Sequence, residues 1–427
     1  MSLQAALRDA PVPAVFILPL PARFNTNLLQ RCKLFFGNGV GPFRSEYDAD
    51  VYFHWELLAS YPNIVVDAEE ADLFYVPFYF VRRHACAARS FDTLTEDFRR
   101  TIAPWMQRFP PAAGKHPRFF MAASEVCACD AEYPKVCNPL SKSLCKRSCN
   151  PLQRWPDLYA QLRIVSWEQQ PLSRASHINL NVVMPYLALI ERSATRSSRG
   201  AQRPLLILNT AIKAGPHRRC VHCGECHGVC TPGCTGIREL LPKSSTADSD
   251  HGGSGPRTKA KGEAGTRYAS YIEAKRHAVF CLEPSGDTLT RKSFYESIQL
   301  GCIPVVFRND TAFLRQLAYP HIVPYHEMWV YVPEAAVLAG VDVRDLLARL
   351  PHAELRRRQD ALTIWGPALA FRPPDSPPVS TPRNTTALRH LRQPGIGQYA
   401  HASGILRPLR AASRALELTV AEVLRTF

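Results

Sequence analysis

No apolar run in the 427-residue sequence approaches the roughly eighteen residues that cross a bilayer. Val12–Leu20 is too short, is interrupted by Pro13 and Pro19, and lacks a signal-peptide cleavage site. A membrane is therefore expected as a partner only through an anchor absent from this sequence. Dense Lys/Arg blocks and interleaved aromatic platforms are also missing, because arginine is scattered along the chain, so nucleic acid is not an expected partner. Prolines and low-complexity text leave little room for order in two stretches. Residues 243–266 (KSSTADSDHGGSGPRTKAKGEAGT) are expected to be a disordered insertion, and residues 367–427 a Pro-rich tail with a terminal helix near Ala411–Thr426.

What is present points elsewhere. Net charge is +15, which favours anionic partners such as sugar nucleotides, polyanionic glycans or membrane surfaces. The length suits two cores of ordinary size. Fourteen cysteines, strongly clustered, together with the sequons at Asn309 and Asn384, fit an oxidising lumen. The alternative is the cytosol, since a luminal chain needs a route in. One cysteine set (Cys127, Cys129, Cys137, Cys145, Cys149) lies in an aperiodic stretch. The other (Cys220, Cys223, Cys226, Cys230, Cys234) surrounds His222 and His227. Disulfides and a zinc site both suit that second spacing, and connectivity does not follow from spacing.

The most informative window is His277–Phe307. Ala278–Leu282 reads as a buried strand, Pro284, Ser285, Gly286 and Asp287 as a turn, and Thr290–Leu300 as a helix capped by Gly301. Cys302–Phe307 follows as a second strand. Such a β-loop-α-β unit presents its loop and helix N-terminus at the carboxyl ends of the strands. Arg291 and Lys292 in the first helical turn oppose the macrodipole by about 0.3–1 kcal/mol each, a cost that an anionic ligand would reverse. Ser285–Lys292 therefore reads as a phosphate cradle, with Arg291 able to grip two oxygens and Glu296 placed to accept from a ribose diol. An ordinary strand-helix-strand with a solvated basic turn is the competing reading.

Phe280-Cys281-Leu282, Pro284, Gly286-Asp287, Thr290-Arg291-Lys292-Ser293, Glu296-Ser297 and Gly301-Cys302-Ile303-Pro304-Val305 together resemble the signature of exostosin-type glycosyltransferases, glycosyltransferase family 47. The resemblance is nearest to the branch of the plant xyloglucan galactosyltransferases. It implies an α/β fold of GT-B type, two Rossmann-like domains facing across a cleft, with a sugar nucleotide on the C-terminal one. Further likenesses are Pro19–Asn25, Asp67–Phe80 (DAEEADLFYVPFYF), His177–Tyr186, Leu205–Asn209 and Val330–Glu334. They extend the resemblance over roughly residues 14–365. On this basis the expected domains are a lead at 1–13 and an acceptor-side domain at 14–190 with a Cys-rich insertion at 127–149. A linker at 191–203 leads to a donor domain at 204–366 with a Cys-rich loop at 220–234.

The resemblance implies an inverting transfer from a UDP-sugar to a glycan or glycoprotein acceptor, in a Golgi lumen or membrane setting, with no cofactor beyond the donor. No DxD-type metal motif stands out except Asp248–Asp250, inside the low-complexity stretch, so no metal is expected. Pro284, Ser285, Gly286, Asp287, Thr290, Arg291, Lys292, Ser293 and Glu296 are the expected donor residues, Asp287 more as a loop or helix cap than in catalysis. Tyr79 and Phe80 are expected to stack on the acceptor. Where the family usually carries Asp-His, this chain has Pro117-Arg118, so His116 is the substitute candidate for a catalytic role alongside Arg291, with Glu70 and Asp72 as other possible bases. The alternatives are a catalytically inactive exostosin-like glycan-binding or partner protein, and a zinc-dependent module at 220–234.

Overall fold

The computed structural model describes residues 12–25, 49–79, 91–111, 118–123, 162–167, 182–186, 203, 205–209, 237, 240–242, 245–246, 264–285, 289–371 and 414–425. The chain divides into two compact units, Met1–Leu189 with Pro374–Phe427, and Ile190–Pro373. Both cysteine sets fall outside the described residues.

The first unit is built on six strands: β1 (Val15–Ile17), β2 (Ile64–Val65), β3 (Leu73–Tyr75), β4 (Phe119–Ala122), β5 (Leu162–Ser166) and β6 (Val182–Val183). They lie in the order β2-β1-β3-β4-β5-β6, and every pairing is parallel. A parallel sheet is covered on both faces, which is why its strands read as unbroken apolar runs. Successive side chains alternate between the two layers. Phe16, Phe74 and Phe119 join Phe98, Ile102 and Met106 of helix α2 (Phe91–Arg108), three residues at four-residue spacing. On the other face Tyr75 and Phe120 meet Phe53 of helix α1 (Ala49–Ser60) at ring separations of 5.6 and 6.3 Å. The sheet order reverses at β1, so the carboxyl ends of β1 and β3 flank the crevice where such sheets hold ligands.

The second unit has β7 (Leu205–Asn209), β8 (Ser245–Thr246), β9 (Ala278–Glu283), β10 (Ile303–Val306) and β11 (Val330–Tyr331) in the order β11-β10-β9-β7-β8. All pairings are parallel except that of β8 with β7. Helix α3 (Ala264–His277) runs straight into β9, and α4 (Lys292–Gln299) carries the chain from β9 to β10. Helix α4 ends at Gly301, whose φ of 70° suits a residue without a Cβ. There the Gly301 N–H donates to the Ile298 carbonyl at 3.2 Å and the Cys302 N–H to the Ser297 carbonyl at 3.0 Å, which satisfies two end carbonyls of the helix.

Several expectations are corrected. Both ends of the 243–266 stretch hold regular structure, β8 and the first turn of α3. Residues 322–332 give a helical turn at Tyr325–Met328 and a two-residue strand at Val330–Tyr331, and Trp329, Tyr325, Phe313 and Phe294 pack there as one aromatic cluster. Arg203, assigned to the linker, donates to the carbonyls of Lys275 (3.3 Å), Ala278 (2.6 Å) and Leu300 (2.9 Å), and so ties the ends of α3 and α4 to the start of β9. Helix α5 (His352–Trp365) packs against α4 and β10. The terminal helix α6 (Arg414–Arg425) belongs to the first unit and packs on β5, β6 and α1. Its Leu416, Leu418, Val420 and Val423 are buried. Its Glu422 supplies negative charge near Arg163, a fully buried arginine in β5 whose guanidinium burial pulls down to about 10.

A disulfide joins Cys281 of β9 to Cys302, just before β10, with Cα atoms 5.8 Å apart and a sequence separation of 21. Both cysteines were expected as core strand residues, and the bridge was not foreseen. Closing a loop of that length contributes roughly 3 kcal/mol. Cys302→Ser should lower the unfolding free energy by about that amount in urea titrations. An unchanged midpoint and slope would show that the bridge contributes nothing.

Candidate functional site

Strand β9 ends in a carboxylate. Glu283 sits at the carboxyl edge of the second sheet, 6% exposed, between apolar Leu282 and the turn residue Pro284. Its Oε1 accepts from Lys275 Nζ at 3.1 Å, Ser293 Oγ at 2.8 Å and Ser297 Oγ at 2.7 Å. Its Oε2 accepts from Arg291 Nη2 at 3.1 Å. Lys275, the last buried residue of α3, is fully enclosed. It also donates to Ser297 Oγ at 2.7 Å, to Ser293 Oγ at 3.0 Å and to the Ser293 carbonyl, and it lies 4.9 Å from the centre of the Tyr271 ring. The Tyr271 hydroxyl in turn donates to Ser293 Oγ at 2.8 Å. Two helices and one strand thus converge on one buried ion pair.

This arrangement changes the part each expected donor residue can play. Arg291 is the N-cap residue of α4 in extended conformation and makes no side-chain capping bond. It is anchored to Glu283 with its side chain 21% exposed, which places it at the rim of the network. Ser293, expected to help hold phosphate, uses its one donor on Glu283 and its two lone pairs on Lys275 and Tyr271, so its hydrogen-bonding capacity is spent internally. Glu296, expected on a ribose, is 2% exposed, with its carboxylate oxygens 4.0 Å from Lys275 and 3.7 Å from Lys292. Thr290 is buried, with Oγ1 3.4 Å from the Gln316 carbonyl. Pro284 is buried and Ser285 half-buried. Gly286 and Asp287 lie outside the described residues.

On the first unit, Tyr79 follows β3 at the carboxyl edge but is 4% exposed and packs edge-on against His54, with its hydroxyl 2.8 Å from His54 Nδ1. A stacking platform needs an open ring face, so the acceptor role expected of Tyr79 is not supported. Phe80 and His116 lie outside the described residues. Arg118 donates to the Asp72 carbonyl at 3.0 Å and lies over the Phe74 ring at 5.0 Å, both structural contacts. Asp72 accepts from the Ala14 N–H at 2.7 Å, which ties it to the strand β1 side of the sheet.

Glu283, Lys275 and Tyr271 were missed by sequence reading. The available signal was a carboxylate closing an apolar strand, preceded eight residues earlier by a lysine at the end of a helix. Beside Ser285 a recess of about 270 Å³, counting its open mouth, is lined by Ile237, Pro284, Ser285, Phe307, Arg308 and Glu334. It is shallow and lies at the carboxyl ends of β9 and β10.

Burial alone would raise the Glu283 carboxyl, yet Lys275, Arg291 and the Ser297 and Ser293 hydroxyls hold it below its ordinary value of 4.5. Burial would likewise lower the Lys275 ammonium, and Glu283, Tyr271 and Glu296 hold it above its ordinary 10.5. A depressed acid stabilises above its unfolded pKa and loses that contribution as pH falls through the folded value. A raised base stabilises below its unfolded pKa and loses its contribution as pH rises through the folded value.

A family model described as the exostosin GT47 domain matches residues 10–347. Among curated proteins of Arabidopsis thaliana, a probable xyloglucan galactosyltransferase is 35% identical over 94 residues, 22% of this chain and 22% of that protein. A xyloglucan-specific galacturonosyltransferase is 39% identical over 93 residues, 21% of this chain and 13% of its own length. A xyloglucan galactosyltransferase is 28% identical over 111 residues, 25% and 17% respectively. The matched stretch thus spans about a fifth or less of each of these relatives. No described helix is long and apolar enough to cross a membrane.

The ion pair should give a stability plateau from about pH 5 to 10 with losses on either side. Chemical unfolding at pH 7 and pH 3 checks the acid arm. The wild type should lose more stability over that interval than the charge-free double variant Lys275→Gln/Glu283→Gln. Equal losses would show that Glu283 is not the group being protonated.

Proposed function

The chain belongs to the exostosin GT47 family, and on that premise we propose that it is an inverting glycosyltransferase. It moves a sugar from a UDP-sugar donor to a glycan or glycoprotein acceptor. In this reading the two units face each other across a cleft in GT-B fashion, the second holds the donor, and the enzyme works in the Golgi lumen. The observation that carries the reading is Arg291. It stands at the N-terminus of α4, beside the carboxyl edge of β9, half-buried and held by a buried carboxylate.

Transfer leaves negative charge on the departing diphosphate. Donors fixed in advance where that charge develops stabilise the transition state at no cost in reorganisation. The Arg291 guanidinium and the first amides of α4 are such donors, and they take the part that a metal plays in other transferases. A shallow recess at Ser285, Arg308 and Glu334 adjoins them at the same strand edge. Galactose is the first candidate sugar, because two of the relatives compared are named as xyloglucan galactosyltransferases.

A second reading, an inactive exostosin-like binding protein, is favoured by one observation. Arg118, at the place of the family's Asp-His, is engaged in structural contacts and supplies no base. Turnover separates the two readings.

A thermal-shift panel of UDP-sugars against the purified chain should show stabilisation by UDP and by at least one UDP-hexose. Release of UDP in the presence of an acceptor glycan should follow. Arg291→Ala should lower turnover by about 100-fold, with only a modest fall in melting temperature because Glu283 keeps Lys275. A folded wild type that responds to no uridine nucleotide would refute the function, and binding without turnover would select the second reading.

A further inference from the structure

A carboxylate beside a phosphate-binding arginine poses a problem. Glu283 lies 3.1 Å from Arg291 and would by itself cancel the cation that an anionic ligand needs. The geometry divides the work between the two oxygens of Glu283. Oε1 takes Lys275 and the two serine hydroxyls, on the buried side. Oε2 takes Arg291, on the side towards the surface. Among the described residues, Nη2 is the only guanidinium nitrogen of Arg291 in a hydrogen bond. Lys275 is fully enclosed and cannot touch a ligand, so its charge acts only through its neighbours. Glu296 lies 4.0 Å from Lys275 and 3.7 Å from Lys292, so adding Lys292 and Glu296 to the cluster leaves its net charge unchanged.

We propose that Lys275 is a positioning residue for the donor diphosphate. It neutralises Glu283, so that Glu283 holds the Arg291 guanidinium in place while the cluster of three keeps one net positive charge for the ligand. The proposal rests on reading Arg291 as the diphosphate ligand. Its distinguishing consequence is a dependence on charge count. Removing the lysine charge alone leaves Arg291 and Glu283 as a neutral pair. Removing both Lys275 and Glu283 charges restores the net cation, while the amide that Glu283→Gln introduces offers its one carbonyl to Arg291 and its NH2 group to the Ser293 and Ser297 oxygens.

Titration calorimetry of UDP and of uridine against the wild type, Lys275→Gln and Lys275→Gln/Glu283→Gln tests this. Lys275→Gln should lose at least about tenfold in UDP affinity, which equals about 1.4 kcal/mol, while uridine binding stays unchanged. The double variant should bind UDP within about threefold of the wild type. Equal losses for UDP and uridine, or a double variant as weak as the single one, would overturn the proposal and assign Lys275 a purely structural part. If the single variant does not fold, the double variant decides alone, because a loss as deep as that of Arg291→Ala refutes charge compensation. A wild type that binds no UDP would instead refute the proposed function on which the inference rests.

Discussion

The buried carboxylate of Glu283 is the constraint from which the second unit is organised. Taking an ion out of water costs several kcal/mol even after relaxation, and that cost is met only when opposite charge and hydrogen bonds surround it. Here Lys275, Ser293, Ser297 and Arg291 do so from two helices and one helix cap. The positions of α3 and α4 on β9 are thereby fixed together, since a shift of either helix would leave a buried charge without its partner. The same requirement turns Ser293, Ser297 and Glu296 inward, although a solvated helix would leave most such residues in water.

Two other features reinforce the same β-α-β segment. The Cys281–Cys302 bridge joins β9 to the residue that opens β10, and Arg203 binds carbonyls at the ends of α3 and α4. A site that stabilises developing charge works best when its donors do not move during reaction. The covalent and hydrogen-bonded restraints fix the start of β9, the C-terminal end of α4 and the start of β10, while the ionic network fixes the strand end and helix N-terminus that carry Arg291. The recess lined by Arg308 and Glu334 opens at the same edge.

Much of this framework was legible in the sequence, because it follows from local patterning. Apolar runs between turn residues located β7, β9 and β10, and Gly301 marked the end of α4 through the left-handed backbone that the turn requires. The inward orientation of the polar residues on α4 was not legible. Helical periodicity distinguishes an apolar stripe from a polar one, but in α4 every residue from Phe294 to Gln299 is buried. The polar stripe therefore faces protein, and only the position of Lys275 on the preceding helix explains it. Glu422 on α6 lends negative charge to Arg163 in β5 from far along the chain, which no local pattern encodes. The burial of Tyr79 against His54 of α1 was not legible for a related reason, since the end of a strand gives a residue's place on the sheet and not whether a helix covers its ring.

The central claim is that Arg291, held by Glu283, receives the diphosphate of a sugar nucleotide. A crystal structure of the wild-type chain soaked with UDP tests it most directly. The expected result is a phosphate oxygen within hydrogen-bond distance of the Arg291 guanidinium, with the contact between Arg291 and Glu283 retained. A diphosphate bound elsewhere, with Arg291 untouched, would contradict it.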